Sequence, residues 1–171
     1  MEKEQLKIIF DFLEENGEHN APFRWKILNN KPITKEDLKV GGDLNLERTE
    51  ITSLPDGLEV KGTLYLDNSN ITSLPKGLKV RGLFLGNSKI KSLPEGLEVK
   101  GDLDLTESDI EFLPKGLKVV GDLDLRYTNI KSLPKGLKVI GDLVIGTLTK
   151  YTDDQLREMI KPGFIKGEII R

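Results

Sequence analysis

The stretch Val119-Val120-Gly121-Asp122-Leu123-Asp124-Leu125-Arg126-Tyr127-Thr128-Asn129-Ile130-Lys131-Ser132-Leu133-Pro134-Lys135-Gly136-Leu137-Lys138 is one of five near-copies of a single sentence, and a sixth copy begins after it. Leu38, Leu58, Leu78, Leu97, Leu117 and Leu137 each open a copy. The form is Leu-x-Val-x-Gly-x-Leu-x-Leu-x-x-(Ser/Thr)-x-Ile-x-x-Leu-Pro-x-Gly. A fixed period of about 20 residues is the mark of a solenoid, in which one copy cannot bury its apolar face alone and stacked copies share a core.

Within each copy, Gly-x-Leu-x-Leu has period two and reads as a short strand with its leucines turned in and the intervening residues turned out. The inward pairs run from Leu44/Leu46 through Leu64/Leu66, Leu83/Leu85, Leu103/Leu105 and Leu123/Leu125 to Leu143/Ile145. Isoleucines, valines and the leucines before proline complete the interior, about five aliphatic side chains per copy at roughly 1.5–3 kcal/mol each before entropy. The hydroxyls Thr49, Ser69, Ser88, Ser108 and Thr128 read as a buried ladder that satisfies backbone groups in the turn leaving the strand. Leu-Pro forces extended backbone on the opposite side. Gly57, Gly77, Gly96, Gly116 and Gly136 follow it and are expected at positive φ. There the signs alternate from coil to coil (Asp56, Lys76, Glu95, Lys115; Glu59, Lys79, Glu98, Lys118), which resists a one-coil slip. The third copy, Val80-Arg81-Gly82-Leu83, is one residue short, which predicts a bent sheet or a tightened turn.

The pattern resembles the short bacterial type of leucine-rich repeat, with its Leu-Pro pair on the back of each coil, over Leu38 to about Ile145. The resemblance implies an α/β solenoid: a right-handed superhelix with a parallel β-sheet on its concave face. Similar repeats lie in bacterial effectors and in phage and bacterial proteins, and in such proteins the concave wall binds partners. The effector ligases also carry a catalytic Cys in a further domain. This chain has no Cys, so that activity is not implied.

The segments outside the repeats read as caps. Residues 1–37 form an N-terminal helical cap: Leu6, Ile9, Phe10 and Leu13 recur at helical spacing, and Phe23 and Trp25 are expected to cover the open end of the first coil. Residues 38–145 are the repeats. Residues 146–171 read as a C-terminal capping repeat, with an N-cap signature at Thr152-Asp153-Asp154-Gln155 and an end at Pro162-Gly163. Ile165-Lys166-Gly167-Glu168-Ile169 then repeats the form of Val60-Lys61-Gly62-Thr63-Leu64, so a last strand should pair onto the sheet and protect its edge.

Composition narrows the function. The chain has 171 residues, 26 Lys+Arg against 28 Asp+Glu, and a net charge of −2. That balance gives no bulk attraction to nucleic acid or to an anionic membrane. Without Cys there is no disulfide framework or thiolate metal site, and His19, the single histidine, reads as a loop residue. The start is amphipathic rather than signal-like and no apolar run is long enough to span a bilayer, so a monomer in the cytoplasm of a bacterial cell, possibly phage-encoded, is expected. No catalytic residues, metal or other cofactor are expected, because no nucleophile–base pair, ligand cluster or phosphate-cradling loop stands out.

What remains is the outward face of the strands. Tyr65 and Phe84 should be neighbours in mid-sheet, with Asp102, Asp104, Asp122 and Asp124 in like-charged columns and Arg126 and Tyr127 beside them. Stacked like charges cost stability. They read either as partner-binding groups or as solubilising filler copied with the repeat, and a divalent-cation site is a third use. The expected function is a non-enzymatic module that binds a protein partner with a basic or mixed surface. The alternative is an acidic decoy that imitates nucleic acid to block a DNA-binding protein. A carboxylate-pair hydrolase fits less well, because an open wall offers no desolvated acid.

Overall fold

The structure, a computed structural model, describes Ile8, residues 23–146 and residues 148–171. The helix expected over residues 3–15, and His19, fall outside this set except for Ile8. In chain order the elements are α1 (Phe23–Leu28), β1 (Lys39–Val40), β2 (Leu44–Asn45), β3 (Glu59–Val60), β4 (Thr63–Tyr65), β5 (Gly82–Phe84), β6 (Glu98–Val99) and β7 (Leu103–Asp104). Then come β8 (Lys118–Val119), β9 (Leu123–Leu125), β10 (Lys138–Val139), β11 (Leu143–Ile145), α2 (Asp153–Met159), β12 (Phe164–Ile165) and β13 (Ile169–Ile170).

All pairing is parallel, and the chain forms a β-solenoid with few helices. One wall is a seven-stranded sheet in the order β13-β11-β9-β7-β5-β4-β2. A second wall is split into β1-β3 and β12-β10-β8-β6. In the long sheet Leu44, Leu64, Leu83, Leu103, Leu123, Leu143 and Ile169 stand in one register column. Apart from Val40, Ile51 and Ile169, which are partly buried against it, these side chains, the second apolar residue of each strand, and the valines and isoleucines of the repeat pattern are buried in one apolar cluster. No helix interrupts the repeats on the side opposite the long sheet, as the short period requires.

Each expected hydroxyl is in place. Thr49, Ser69, Ser88, Ser108 and Thr128 donate to the carbonyl three residues back, Leu46, Leu66, Leu85, Leu105 and Leu125, at 2.6–2.8 Å. The turn that these hydroxyls close holds the residue before each of them in the left-handed region: Arg48, Asn68, Asn87, Glu107 and Tyr127 have φ between 50° and 59°. Asparagine tolerates this; the other three residues carry a cost of about 1 kcal/mol each. The five glycines after Leu-Pro lie at φ 70–80°, as expected.

The corner between the two walls explains the aspartate column. Asp43 accepts the backbone N–H of Thr63, Asp102 that of Asp122, Asp122 that of Asp142, and Asp142 that of Glu168, at 2.7–2.9 Å. Each carboxylate thus ties its coil to the next through a charge-assisted hydrogen bond that offsets the repulsion along the column. Each also leans over the glycine of the next coil: a Cβ on Gly62, Gly121, Gly141 or Gly167 would overlap the aspartate Oδ1 and the backbone beside it. Gly-Asp is therefore a lock between coils, a fourth explanation beside partner binding, filler and a cation site. Where this column holds Thr63 instead of Asp, the next coil has Arg81 in place of the glycine that the aspartates lean over.

The short third copy leaves the long sheet continuous. Gly82 pairs with Thr63, so the missing residue belongs to the column of Lys61, Lys100, Val120 and Ile140. The deletion acts on the second wall, where Lys79 and Val80 make only isolated bridges and the sheet divides in two. Along that wall the alternating charges pair as Lys79–Glu59 at 3.4 Å and Lys118–Glu98 at 3.5 Å. All four side chains are substantially exposed, which limits each pair to a few tenths of a kcal/mol. Lys138 opposite Lys118 ends the alternation.

At the two ends the chain joins the same core. Phe23 of α1 is buried in the cluster, and Trp25 is half-buried with Lys31 5.6 Å from its ring centre. Asp37 is buried, accepts from Lys26 Nζ and the Thr34 N–H at 2.7 Å, and so fixes α1 to the first coil. Burial alone would raise its pKa; the bonds from Lys26 and Thr34 outweigh that and hold it below the ordinary value. At the other end Thr152 and Gln155 form a reciprocal capping box, and Leu156 and Ile160 are buried. Ile165 pairs with Val139 and Ile169 with Leu143, the register that the likeness to Val60–Leu64 predicted.

Two predictions follow from the locks and the last strands. Gly121→Ala should cost roughly 1–3 kcal/mol by overpacking and Asp122→Ala roughly 1–3 kcal/mol by orphaning the Asp142 N–H, whereas Asp122→Asn, which keeps the acceptor, should cost less. Urea melts check all three, and an Asp122→Ala melt equal to that of the unaltered chain would return the aspartates to filler. Deleting residues 164–171 removes β12 and β13 and bares the edges of both sheets, so melting temperature should drop and aggregation rise. A monomeric truncation with an unchanged melting temperature contradicts this.

Candidate functional site

The outward face of the long sheet is built by register. Its middle column reads Asn45, Tyr65, Phe84, Asp104, Asp124, Val144, Ile170. Tyr65 and Phe84 are directly paired, with ring centres 5.3 Å apart and planes 32° from parallel. This tilted contact is favourable for aromatic pairs. Both rings are half-buried, so they offer apolar area on an otherwise polar wall.

The polar side chains in this column also serve the backbone. Asn45, Asp104 and Asp124 each accept the N–H two residues on, at Glu47, Thr106 and Arg126, at 2.8–3.0 Å. These Asx turns end the strands. Asp124 is further engaged by Arg126, whose Nε lies 3.0–3.1 Å from both its oxygens and whose Nη2 lies 2.6 Å from Oδ2. Hydrogen bonding to Asp124, then its charge, raises the Arg126 pKa further. The pair cancels locally, so Asp104 carries the net negative charge of this column.

The next column runs Glu47, Asp67, Gly86, Thr106, Arg126. Asp67 lies next to the aromatic pair in sequence and accepts the Gly86 N–H at 2.9 Å. Gly86 is required there, because a Cβ would come within 2.7 Å of the Asp67 carboxylate. Burial raises the Asp67 pKa; bonds from Gly86 and its own N–H lower it, and the charges of Asp104 and Glu47 raise it, with a net upward shift. Thr106 Oγ1 is buried without a hydrogen-bond partner. Asp67, which the sequence places on the outward wall, was not among the eight expected partner-binding residues. Its signal was present: an acid directly after a strand leucine, with a glycine in the same place in the next copy.

The eight expected site residues therefore divide. Tyr65, Phe84 and Asp104 meet on the wall, with Asp67 and Glu47 near them. Asp124 and Arg126 form an ion pair beside them. Asp102 and Asp122 stand at the corner, each with Oδ1 accepting a backbone N–H of the next coil. Tyr127 is on the turn after the strand, 73% exposed at φ 57°. Among the described residues no group of three or more His, Cys, Asp or Glu is placed to hold a metal ion, and no helix is long and apolar enough to cross a membrane. Comparison with protein-family models, curated proteins and solved structures found no match.

The raised pKa of Asp67 gives a test. A carboxyl whose folded pKa is raised favours the fold most when protonated, and this contribution is lost as pH rises through the carboxylate range. Asp67→Asn keeps the oxygen that accepts from Gly86 and removes the charge. Its melting temperature at pH 7 should exceed that of the unaltered chain by roughly 1–3 °C, and the gap should close near pH 3. A variant that melts lower at pH 7 would show that the charge is stabilising.

Proposed function

We propose that this chain is a leucine-rich-repeat module of the short bacterial type, right-handed and closed by helical caps at both ends, whose concave wall binds a protein partner of basic or mixed surface. The observation that carries this reading is the Tyr65–Phe84 pair, half-exposed in mid-sheet and bordered by Asp67, Asp104 and Glu47. Aromatic anchors ringed by polar groups are the usual centre of an interface. Packing fixes the inward positions in every coil, so specificity is free to be written in the outward ones, and these are where the copies differ.

The repeat assignment rests on the ten-position pattern and on the hydroxyl that closes each turn, buried in all but the first. The cap assignment rests on Phe23, Asp37 and the capping box of α2, each of which continues the core or the backbone ladder past the repeats. The module acts by binding rather than catalysis, as a cytoplasmic protein of a bacterium or its phage. An all-acidic decoy of nucleic acid fits less well, because an aromatic pair and the Asp124–Arg126 ion pair interrupt the acidic wall.

Affinity capture from bacterial lysate, with and without nuclease, tests the reading when the same partner is titrated against variants. Tyr65→Ala with Phe84→Ala should weaken binding by at least about 2 kcal/mol and leave the melting temperature nearly unchanged. Asp104→Asn should slow association and flatten its salt dependence. Charge reversal at Lys76 and Glu95, on the opposite side of the coil, should change neither. Loss of binding by those reversals alone would move the function to the other face. A partner competed away by DNA and indifferent to the aromatic substitutions would establish the decoy instead.

A further inference from the structure

The outward face of the second wall changes character along the chain. Its first column runs Glu59, Lys79, Glu98, Lys118, Lys138, Phe164. Its second column, one residue further along each strand, ends Lys100, Val120, Ile140, Lys166. From Glu59 to Lys100 both columns are charged. In the last three coils Val120, Ile140 and Phe164 are instead 46%, 40% and 43% exposed. Their neighbours Val119, Val139 and Ile165 are buried, so the core does not need the exposed three. Val120 and Ile140 stand in adjacent coils, with Phe164 diagonal to Ile140.

Lysines edge this apolar patch. Lys118 holds Glu98 at 3.5 Å, and Lys138 and Lys166 have no carboxylate within 4.0 Å among the described residues. A contiguous exposed apolar patch with a polar rim marks a contact surface. This one is the complement of the long sheet, where the half-exposed Tyr65 and Phe84 are edged by Asp67 and Asp104.

We propose that the occupant of the patch, and so the partner of the long sheet, is a second copy of this chain. The inference rests on the reading that the long sheet binds a protein, and it replaces the monomer expected from the sequence. Both surfaces are parallel sheets with the same strand spacing, roughly 4.8 Å. Residues one coil apart on one therefore match residues one coil apart on the other. Facing sheets pack with their strands aligned, roughly 10 Å apart.

Two facing walls have opposed outward directions, so copies with parallel solenoid axes bring these strands together antiparallel. With Val120 over Tyr65 and Ile140 over Phe84, that sense sets Lys166 over Asp104 and Lys118 over Asp67. Lys138 falls over Gly86, which has no side chain to meet it. Glu98 comes over Glu47, the one like-charged pair in these columns, and Lys118 stands next to it. The contact joins two different surfaces, so each copy keeps one of each free and association continues past the dimer.

Sedimentation of the purified chain over a range of concentrations tests this. Association should rise with concentration, pass beyond dimers and weaken with salt. Ile140→Lys, which breaks the patch, and Tyr65→Ala with Phe84→Ala, which breaks the wall, should each weaken it at least about tenfold. Mixed, these two variants should form a heterodimer that grows no further, because only one intact patch and one intact wall remain between them. Asp104→Lys should also weaken association at least about tenfold, and adding Lys166→Asp to the same chain should restore it. A chain that stays monomeric at about 1 mM overturns the proposal; a lysate protein that still requires Tyr65 and Phe84 would then leave the binding role of the long sheet standing. Self-association lost with Ile140→Lys but indifferent to the Tyr65 and Phe84 substitutions means that patch meets patch, and overturns the proposal and that role together. A monomeric chain that binds phosphatidylserine vesicles, and loses them with Ile140→Lys, gives the patch a different occupant and overturns it as well.

Discussion

Leu64 lies between Leu44 and Leu83, Leu103 between Leu83 and Leu123, and so on to Ile169 at the last strand. No single coil has an interior; each leucine leaves water only because the coil on either side supplies the other half of its surroundings. Parallel register is the condition for this. A slip of one residue would turn every leucine out and every aspartate in. The strand ladders, the hydroxyl-closed turns and the glycines at positive φ all serve to return the chain to the same place once per coil.

The corner between the walls shows how polar residues enforce that return. An aspartate on one coil takes the N–H of the next, and a glycine on the next coil makes room for it. Charge repulsion along the column is accepted because each carboxylate gains a donor that would otherwise be unpaired. The arrangement propagates one way along the chain, so a lapse in one coil is felt in the next. Thr63 permits Arg81, and Gly82, which has no side chain, leaves the Asp102 N–H without the partner that its equivalents have.

The two surfaces of interest have different origins. The aromatic pair sits where outward positions are free of packing demands, which is why the proposed interface is centred there. Its acidic surround is less charged than a count of aspartates suggests, since Asp124 is cancelled by Arg126, while Asp102 and Asp122 keep their charge and each give one oxygen to the backbone. The second wall instead carries a defect in the repeat, and there the regular ladder is reduced to isolated bridges.

The sequence by itself determined the solenoid, its parallel strands, the inward leucines, the turn hydroxyls and the pairing of Tyr65 with Phe84. Each is a matter of period, and period is written in one dimension. It also marked the final strands, because Ile165 to Ile169 repeats an earlier phrase. Tertiary structure alone decided which carboxylates are free. Asp102 and Asp104 look alike in sequence, yet one reaches the N–H of Asp122 in the next coil and the other caps its own turn, a difference set by which side of the corner each stands on. The sequence showed that a residue was missing near Gly82, and only the pairing of Gly82 with Thr63 showed that the loss falls on the second wall. A deletion has no side chain to read; its consequence is the division of the second wall into two short sheets.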